Sequence, residues 1–259
     1  MSEFKQAIYP SLEGTSVFIT GGASGIGAEL VRAFCAQKSK VGFVDFDKTG
    51  SQNLVDELVR SGTSAEDLQF EHCDLKDIDA LNRAFSNLAD KIGAAGVLVN
   101  NAARDDRHTW QEIEPEYFDE RIATNVRHQL FAIKAVAPGM IAAGKGSIIN
   151  MGSNSWLEAQ GGFPAYTMSK AAVYGLTRGM ARDLGPHRIR VNTVVPGWVM
   201  TERQKELWVN PEAISAHKKK QCLPDLIAPE YIARMTLFLA SDDGAMCTAQ
   251  HYLVDAGSS

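Results

Sequence analysis

The stretch that decides the fold reads Val17-Phe18-Ile19-Thr20-Gly21-Gly22-Ala23-Ser24-Gly25-Ile26-Gly27. Its first four residues are β-branched or aromatic with no polar face, which predicts a strand buried on both sides. From Gly25 the apolar residues Ile26, Leu30, Val31 and Phe34 share one stripe, predicting a helix to about Gln37. Between the two lies G-x-x-x-G-x-G, a relative of the commoner dinucleotide fingerprint. Glycines there allow a tight turn and bring backbone N–H groups close to a pyrophosphate, which would sit at the helix N-terminus. The alternative is a tight turn that holds no ligand.

The rest of the chain repeats this alternation. Further strands are predicted at 41–45, 70–74, 97–99, 147–151, 190–195 and 252–254. Helices are predicted at 48–60, 115–143, about 165–184 and 229–240, with a kink or break expected at Pro138. Ile78, Leu81, Phe85, Leu88 and Ile92 step by three and four, the clearest helical period in the chain. Residues 197–224 read as a long polar loop, and 198–224 as a lid that orders on ligand binding. Strand–helix alternation without polar strand faces predicts an α/β fold, a doubly wound parallel sheet of the Rossmann type, as a single domain over 1–259. Ligands of such sheets bind beyond the carboxyl ends of the strands.

Composition narrows the classes. With 45% apolar residues and a net charge of −5 over 259 residues, the chain can bury a core, and disorder is excluded. There is no basic excess, which argues against a nucleic-acid partner. No apolar run nears the roughly 18 residues of a membrane span. Cys35, Cys73, Cys222 and Cys247 are dispersed and form no C-x-x-C pair, as a reducing compartment allows. Residues 1–13, with Glu3, Lys5 and Pro10, lack the apolar region of a secretory signal, so a cytoplasmic location is expected. No metal site is read from the sequence.

Asp45 ends the second predicted strand, 18 positions after Gly27. A carboxylate there can accept both ribose hydroxyls of an adenosine and would repel a 2′-phosphate. No Lys or Arg stands at Ala23, Ser24, Phe46 or Asp47; Lys48 is the nearest. The reading is NAD over NADP, the alternative being that Asp45 caps the following turn. Asp74 could accept from the adenine amino group, and Asn100-Asn101-Ala102 supplies a backbone bend under the adenosine.

At the other end, Tyr166 and Lys170 are i and i+4 on a predicted helix and point to one face. Ser153 follows the fifth strand. A phenol loses its proton near pH 10, so a base working near neutrality needs about three units, or ~4 kcal/mol, of help. One ammonium about 4 Å away supplies roughly that at an intermediate dielectric.

Taken in order, residues 20–27, Asn100-Asn101-Ala102, Asn125, Ser153, Tyr166 with Lys170, Pro196-Gly197 and Thr201 resemble the short-chain dehydrogenase/reductase family over essentially the whole chain. The resemblance implies that Tyr166 is the general base and that Lys170 lowers its pKa while holding the nicotinamide ribose. It implies that Ser153 positions the substrate oxygen and that Asn125 holds a water in a proton relay. The implied cofactor set is Gly21, Ser24, Gly25, Ile26, Gly27, Asp45, Asp74, Leu75, Asn101, Ala102, Tyr166, Lys170, Pro196, Gly197, Val199 and Thr201. Two positions depart from the family's pattern. Ala103 stands where a glycine is usual, a strain of about 1 kcal/mol if φ there is positive. Ala256 replaces a glycine near the C-terminus, a smaller concern.

For the substrate, Asp105 and His108 in the run Arg104-Asp105-Asp106-Arg107-His108, Ser153-Asn154-Ser155-Trp156, and Trp198 and Arg203 around Thr201 stand out beside Tyr166. Polar side chains mixed with a flat aromatic suit a sugar ring, pairing its hydroxyls and stacking on its C–H face. The plainer reading of 104–108 is a solvated charge run. That run, together with Asp119-Glu120-Arg121-Ile122, Arg127-His128 and the ending around Met246-Cys247-Thr248, is similar to bacterial aldose 1-dehydrogenases. The resemblance implies oxidation of the anomeric carbon of an aldose to an aldonolactone with NAD. The alternatives are a polyol or other secondary alcohol as substrate, or a non-catalytic NAD-binding regulator. His128 is read as a packed or hydrogen-bonded helix residue. Small residues Ala171, Ala172, Gly175 and Gly179 would let another helix approach, and family members often form homo-oligomers there; packing within the chain is the alternative.

Overall fold

Seven short segments become the strands of one sheet in the computed structural model, which describes residues 6–259; Glu3 and Lys5 lie outside the described residues. The strands are β1 (Ser16–Thr20), β2 (Lys40–Asp45), β3 (Leu68–His72), β4 (Val97–Asn100), β5 (Gly146–Met151), β6 (Ile189–Pro196) and β7 (His251–Val254). The helices between them are α1 (Gly25–Ala36), α2 (Lys48–Arg60), α3 (Ile78–Ile92), α4 (Pro115–Ile122), α5 (His128–Ala143), α6 (Pro164–Leu184), α7 (Glu202–Leu207), α8 (Pro211–Lys218) and α9 (Pro229–Ala240). All pairs are parallel, in the order β3-β2-β1-β4-β5-β6-β7. The result is the single doubly wound α/β domain expected from the alternation.

Side chains alternate along each strand, so β1 sends Val17 and Ile19 to one core and Phe18 to the other. The first core packs α1, α2 and α9 through Leu30, Phe34, Leu54 and Leu237; the second packs α3, α5 and α6 through Phe85, Leu88, Ile133 and Leu184. Covering both faces is why the central strands β1 and β4 are buried along their whole length, whereas the edge strand β3 carries Gln69, Glu71 and His72. Strand order turns back between β1 and β4, and Thr20, Asn100, Asn150 and Thr193 are register partners in turn. The carboxyl ends of β1, β4 and β5 therefore finish within a residue of one another, with β6 running on to Pro196, at the crevice where such sheets take ligands.

Three boundaries differ from expectation. The expected helix over 115–143 is interrupted at residues 123–127 by a π-helical turn, and Pro138 sits inside α5 without ending it. Pro138 and Lys134, whose carbonyl loses its partner, both face solvent, where water can satisfy that carbonyl. β3 ends at His72, leaving Asp74 in the turn beyond it. Residues 197–224 are not an unstructured loop but carry α7 and α8, capped by Thr201 accepting from the Gln204 N–H (3.3 Å) and Asn210 accepting from the Ala213 N–H (2.7 Å). Helices this short take much of their stability from caps and packing, and so leave little periodicity to read.

The four cysteines are free. Among the described residues, no helix is long and apolar enough to cross a membrane, and no group of His, Cys, Asp and Glu could hold a metal.

Candidate active site

The glycine turn is held by steric necessity. Gly21 has φ +70°, and a Cβ there would lie 2.8 Å from the Cα of Ala102; a Cβ on Gly27 would run into the carbonyl of Gly21. Thr20 and Asn101 tie this turn to the end of β4. The Thr20 hydroxyl accepts from the N–H groups of Asn101 (3.0 Å) and Ala102 (3.2 Å), and the Asn101 amide donates to the carbonyls of Thr20 (3.1 Å) and Gly21 (2.8 Å). Asn101 thus braces the loop, and Thr20, the first residue of the 20–27 motif, is its counterpart.

Asp45 is 7% exposed at the end of β2. One carboxylate oxygen accepts from the Ala23 N–H and the other from the Asp47 N–H, both at 2.9 Å. It therefore caps its own turn, as the plainer reading had it, and also pins the glycine turn. Burial pushes its pKa up, and the backbone N–H groups oppose that.

From this turn a cleft of about 1200 Å³ runs past Asp74 and Leu75, across the ends of β4 and β5, to Tyr166 and the start of α7. It exceeds the ~300–1,000 Å³ of ordinary small-ligand pockets, leaving room for a dinucleotide with a small substrate. Every residue of the expected cofactor set lines it. The positive-φ glycine turn, the cradle that a Cβ would fill and the buried Asp45 carboxylate beside it all fit a dinucleotide.

Tyr166 and Lys170 lie on the cleft side of α6, with the Lys170 Nζ 5.7 Å from the Tyr166 ring centroid. Lys170 is 2% exposed, its Nζ donates to the Met151 carbonyl at 2.7 Å, and burial pulls its pKa down to about 8. The Tyr166 phenol is pushed above its ordinary value by burial and by the Asp105 carboxylate, while a hydrogen bond from Ser153 and the charge of Arg107 work the other way. The expected lowering by the Lys170 ammonium is not among the effects on the phenol in the protein alone. Desolvation of the phenolate is the larger effect, and the ammonium is itself short of solvation and aimed at Met151.

Asn125 sits in the π-helical turn, fully buried one layer behind the cleft. Its side-chain oxygen accepts from the Arg104 N–H (2.8 Å) and its carbonyl from the Gln129 amide (3.1 Å). Such turns recur at functional sites. His128 is buried in α5, with a pKa pulled down to about 4 by burial and by the Lys170 charge, so it is a neutral packed residue.

Of the expected substrate residues, Asp105, Ser153, Asn154, Tyr166, Trp198 and Arg203 line the cleft; His108 and Trp156 do not. Trp156 stacks on Tyr174 (6.4 Å between centroids) and meets His251 edge-on. His108 shares a hydrogen bond with the Tyr117 hydroxyl (2.9 Å), and its Nε2 accepts from the Ala165 N–H (3.2 Å), satisfying the otherwise orphaned start of α6. Asn154 donates to Glu158 (2.6 Å) and Ser258 (3.1 Å). The 104–107 segment is tied to α7: Gln204 donates to Asp105 (2.8 Å) and accepts from the Trp198 indole (2.9 Å), while Arg203 donates to Asp106 (2.6 Å). Arg107, Gln160, Phe163, Gln204 and Trp208 also line the cleft, and only the charge run around Arg107 carried a signal in sequence. The concern over the two alanines is reversed. Ala103 has no positive φ, whereas Ala256 has φ +56°.

With this geometry in hand, comparison with known proteins is direct. A family model described as enoyl-(acyl carrier protein) reductase matches residues 21–259. The chain is 46% identical to a D-xylose 1-dehydrogenase of Caulobacter vibrioides, covering 97% of this chain and 98% of that one. It is 41% identical to a "Probable galactose dehydrogenase" of Rhizobium meliloti, covering 96% of each. A solved short-chain type dehydrogenase/reductase from Mycobacterium ulcerans superposes with a TM-score of 0.90 at 26% identity, over 96% of this chain and 90% of that one. Sheet order, glycine turn, Ser–Tyr–Lys cluster and full-length relatives agree: the chain belongs to the short-chain dehydrogenase/reductase family, oxidoreductases that work with a nicotinamide dinucleotide.

Proposed function

We propose that this protein oxidises the anomeric carbon of a cyclic aldose to the aldonolactone, with NAD⁺ as acceptor. The observation that carries this reading is that the Tyr166 phenol, hydrogen-bonded by Ser153, opens onto a compartment walled by Asp105, Arg107, Trp198 and Trp208. Carboxylate, guanidinium and indole together can pair hydroxyls and cover a C–H face. The two sugar dehydrogenases among the relatives support it further.

The glycine turn and the N-terminus of α1 would hold the pyrophosphate, and Asp45 the adenosine ribose. NAD⁺ rather than NADP⁺ is favoured by Asp45 and by the cations nearby. Lys48 does not line the cleft; Arg32 and Lys76 do, but Arg32 is paired with Glu57 (2.9 Å), and Lys76 with Glu120 (3.5 Å) and Asp74 (3.7 Å). Bound NAD⁺ supplies the hydride acceptor. Ser153 holds the reacting O1, and Tyr166 takes its proton as C1 loses hydride. Lys170 holds the nicotinamide ribose, and its charge favours the phenolate once substrate and cofactor have displaced water. Residues 198–224 act as the lid, through the ties of Arg203 and Gln204 to the 104–107 segment.

The test is a reduction assay over pentoses, hexoses and 6-deoxyhexoses with NAD⁺ and NADP⁺ in parallel. Turnover of at least one aldose, lactone as the product and a preference for NAD⁺ are expected. Turnover of polyols with no aldose oxidised would overturn the substrate. An Asp45→Ala variant is expected to lose its preference for NAD⁺ by about tenfold or more, since a misplaced like charge at such a site costs several kcal/mol.

A further inference from the structure

Four arginines stand near the mouth of the cleft, and three are neutralised. Arg104 meets Asp106 at 3.2 Å, Arg121 meets Asp106 at 2.6 Å and also Glu120, and Arg203 meets Asp106 at 2.6 Å and Asp105 at 3.8 Å. Arg107 is different. Among the described residues its guanidinium makes no ion pair and no hydrogen bond to the protein. Its Cζ instead lies 3.8 Å from the ring centroid of Phe163 and 5.3 Å from that of Trp208. Phe163 is buried and stacked on Tyr166, with 5.1 Å between centroids and 12° between planes. The guanidinium is therefore held between the ring beside the reactive phenol and a ring of the 198–224 segment, with its N–H donors left for something else in the cleft.

We propose that Arg107 is a specificity-determining residue that donates its free N–H fork to two neighbouring hydroxyl oxygens of the substrate, at the end of the ring away from the reacting carbon. A planar fork held flat against an aromatic face is pre-organised for two adjacent oxygen acceptors, which a lysine is not. Asp105 stands in the same compartment and supplies the complementary acceptor for hydroxyl protons. Its charge, felt at both Tyr166 and Lys170, disfavours a substrate carboxylate there. A vicinal diol therefore fits better than an acid. This inference rests on the sugar reading above and adds the group that tells a polyhydroxylated ring from a simple alcohol.

The experiment compares the parent enzyme with Arg107→Lys and Arg107→Met on the best aldose and on its monodeoxy analogues, one for each hydroxyl remote from C1. For the parent aldose, kcat/KM should fall about 10- to 100-fold in both variants, mainly through KM, with KM for NAD⁺ within twofold of the parent enzyme. Removing the contacted hydroxyl should cost the parent enzyme about as much, and the variants almost nothing further. Lysine should fail to rescue, because it keeps the charge but loses the fork. An equal loss on every analogue, or no loss on the aldose, would overturn the role of Arg107 while leaving sugar oxidation standing. A parent enzyme that prefers uronic acids, with the preference lost in both variants, would put a carboxylate on the fork and overturn the diol assignment. If the parent enzyme oxidises no aldose at all, the sugar reading itself falls and this one with it.

Discussion

At the adenosine end of the cleft, backbone does most of the holding: a turn in which Gly21 and Gly27 leave no space for a side chain, braced by Thr20 at the end of β1 and by Asn101 just after the neighbouring β4. At the Tyr166 end, the lining comes from side chains on four separate segments, around 105, 153, 166 and 203, with ion pairs and amide contacts tying the 105 and 203 segments together. The first end is made of contacts short in sequence or set by strand register, and tolerates no added atom. The second is assembled over separations near one hundred residues and can be retuned by single side chains. A family that keeps a nicotinamide dinucleotide and changes substrates needs that division.

The largest test of this contrast is Tyr166→Phe. Turnover should fall by about 10³-fold or more while dinucleotide binding stays within a few-fold, measured by assay and by titration of cofactor fluorescence. Loss of both together would erase the distinction between the two ends. The converse variant is Gly27→Ala. Its new methyl meets the Gly21 carbonyl and the Asn101 side chain, so it should abolish dinucleotide binding and destabilise the fold by about 2 kcal/mol in a denaturant melt. Wild-type affinity in that variant would refute the rigidity argued for this end.

A finer test uses Lys170. Folded, it gives up its proton near pH 8; unfolded, it keeps it to about 10.5. Between those values the unfolded chain holds more protons, so the stability of the native protein relative to a Lys170→Met variant should rise with pH, by at most about 1.4 kcal/mol per pH unit. Denaturant melts at pH 8 and pH 10 measure this, and a flat difference would show the ammonium to be better solvated than its burial implies. The smallest effect expected is that of Ala256→Gly. It relieves a left-handed alanine at φ +56° whose carbonyl accepts from Cys222 (2.9 Å) and Leu223 (3.1 Å), at the far end of the 198–224 segment. Relief of about 1–2 kcal/mol is partly offset by the freer unfolded glycine chain, leaving a gain of about 0.5 kcal/mol in a thermal melt.

Much of this molecule was legible in order of residues alone. Alternating apolar runs set the parallel sheet, the period of Ile78, Leu81, Phe85, Leu88 and Ile92 set α3 from its first residue to its last, and the glycine spacing located the crevice. Each depends on interactions a few residues long or on a repeating period, so a linear reading reaches them. The break expected at Pro138 does not occur, because that face of α5 is exposed and water can satisfy the carbonyl it orphans. α7 and α8 were missed because two-turn helices depend on caps and neighbours more than on pattern.

By itself, then, the sequence determined the sheet, its cofactor turn, the position of Asp45 and the pairing of Tyr166 with Lys170 on one helical face. Only the tertiary structure decided that Trp156 and His108 turn away from the cleft, that burial raises the phenol against Ser153 and Arg107, and that Arg107 makes no ion pair among the described residues while Arg104, Arg121 and Arg203 do. The reason is physical. Helical and strand periods are set by bonds between near neighbours, whereas solvation and charge at a point depend on every segment that folding brings there.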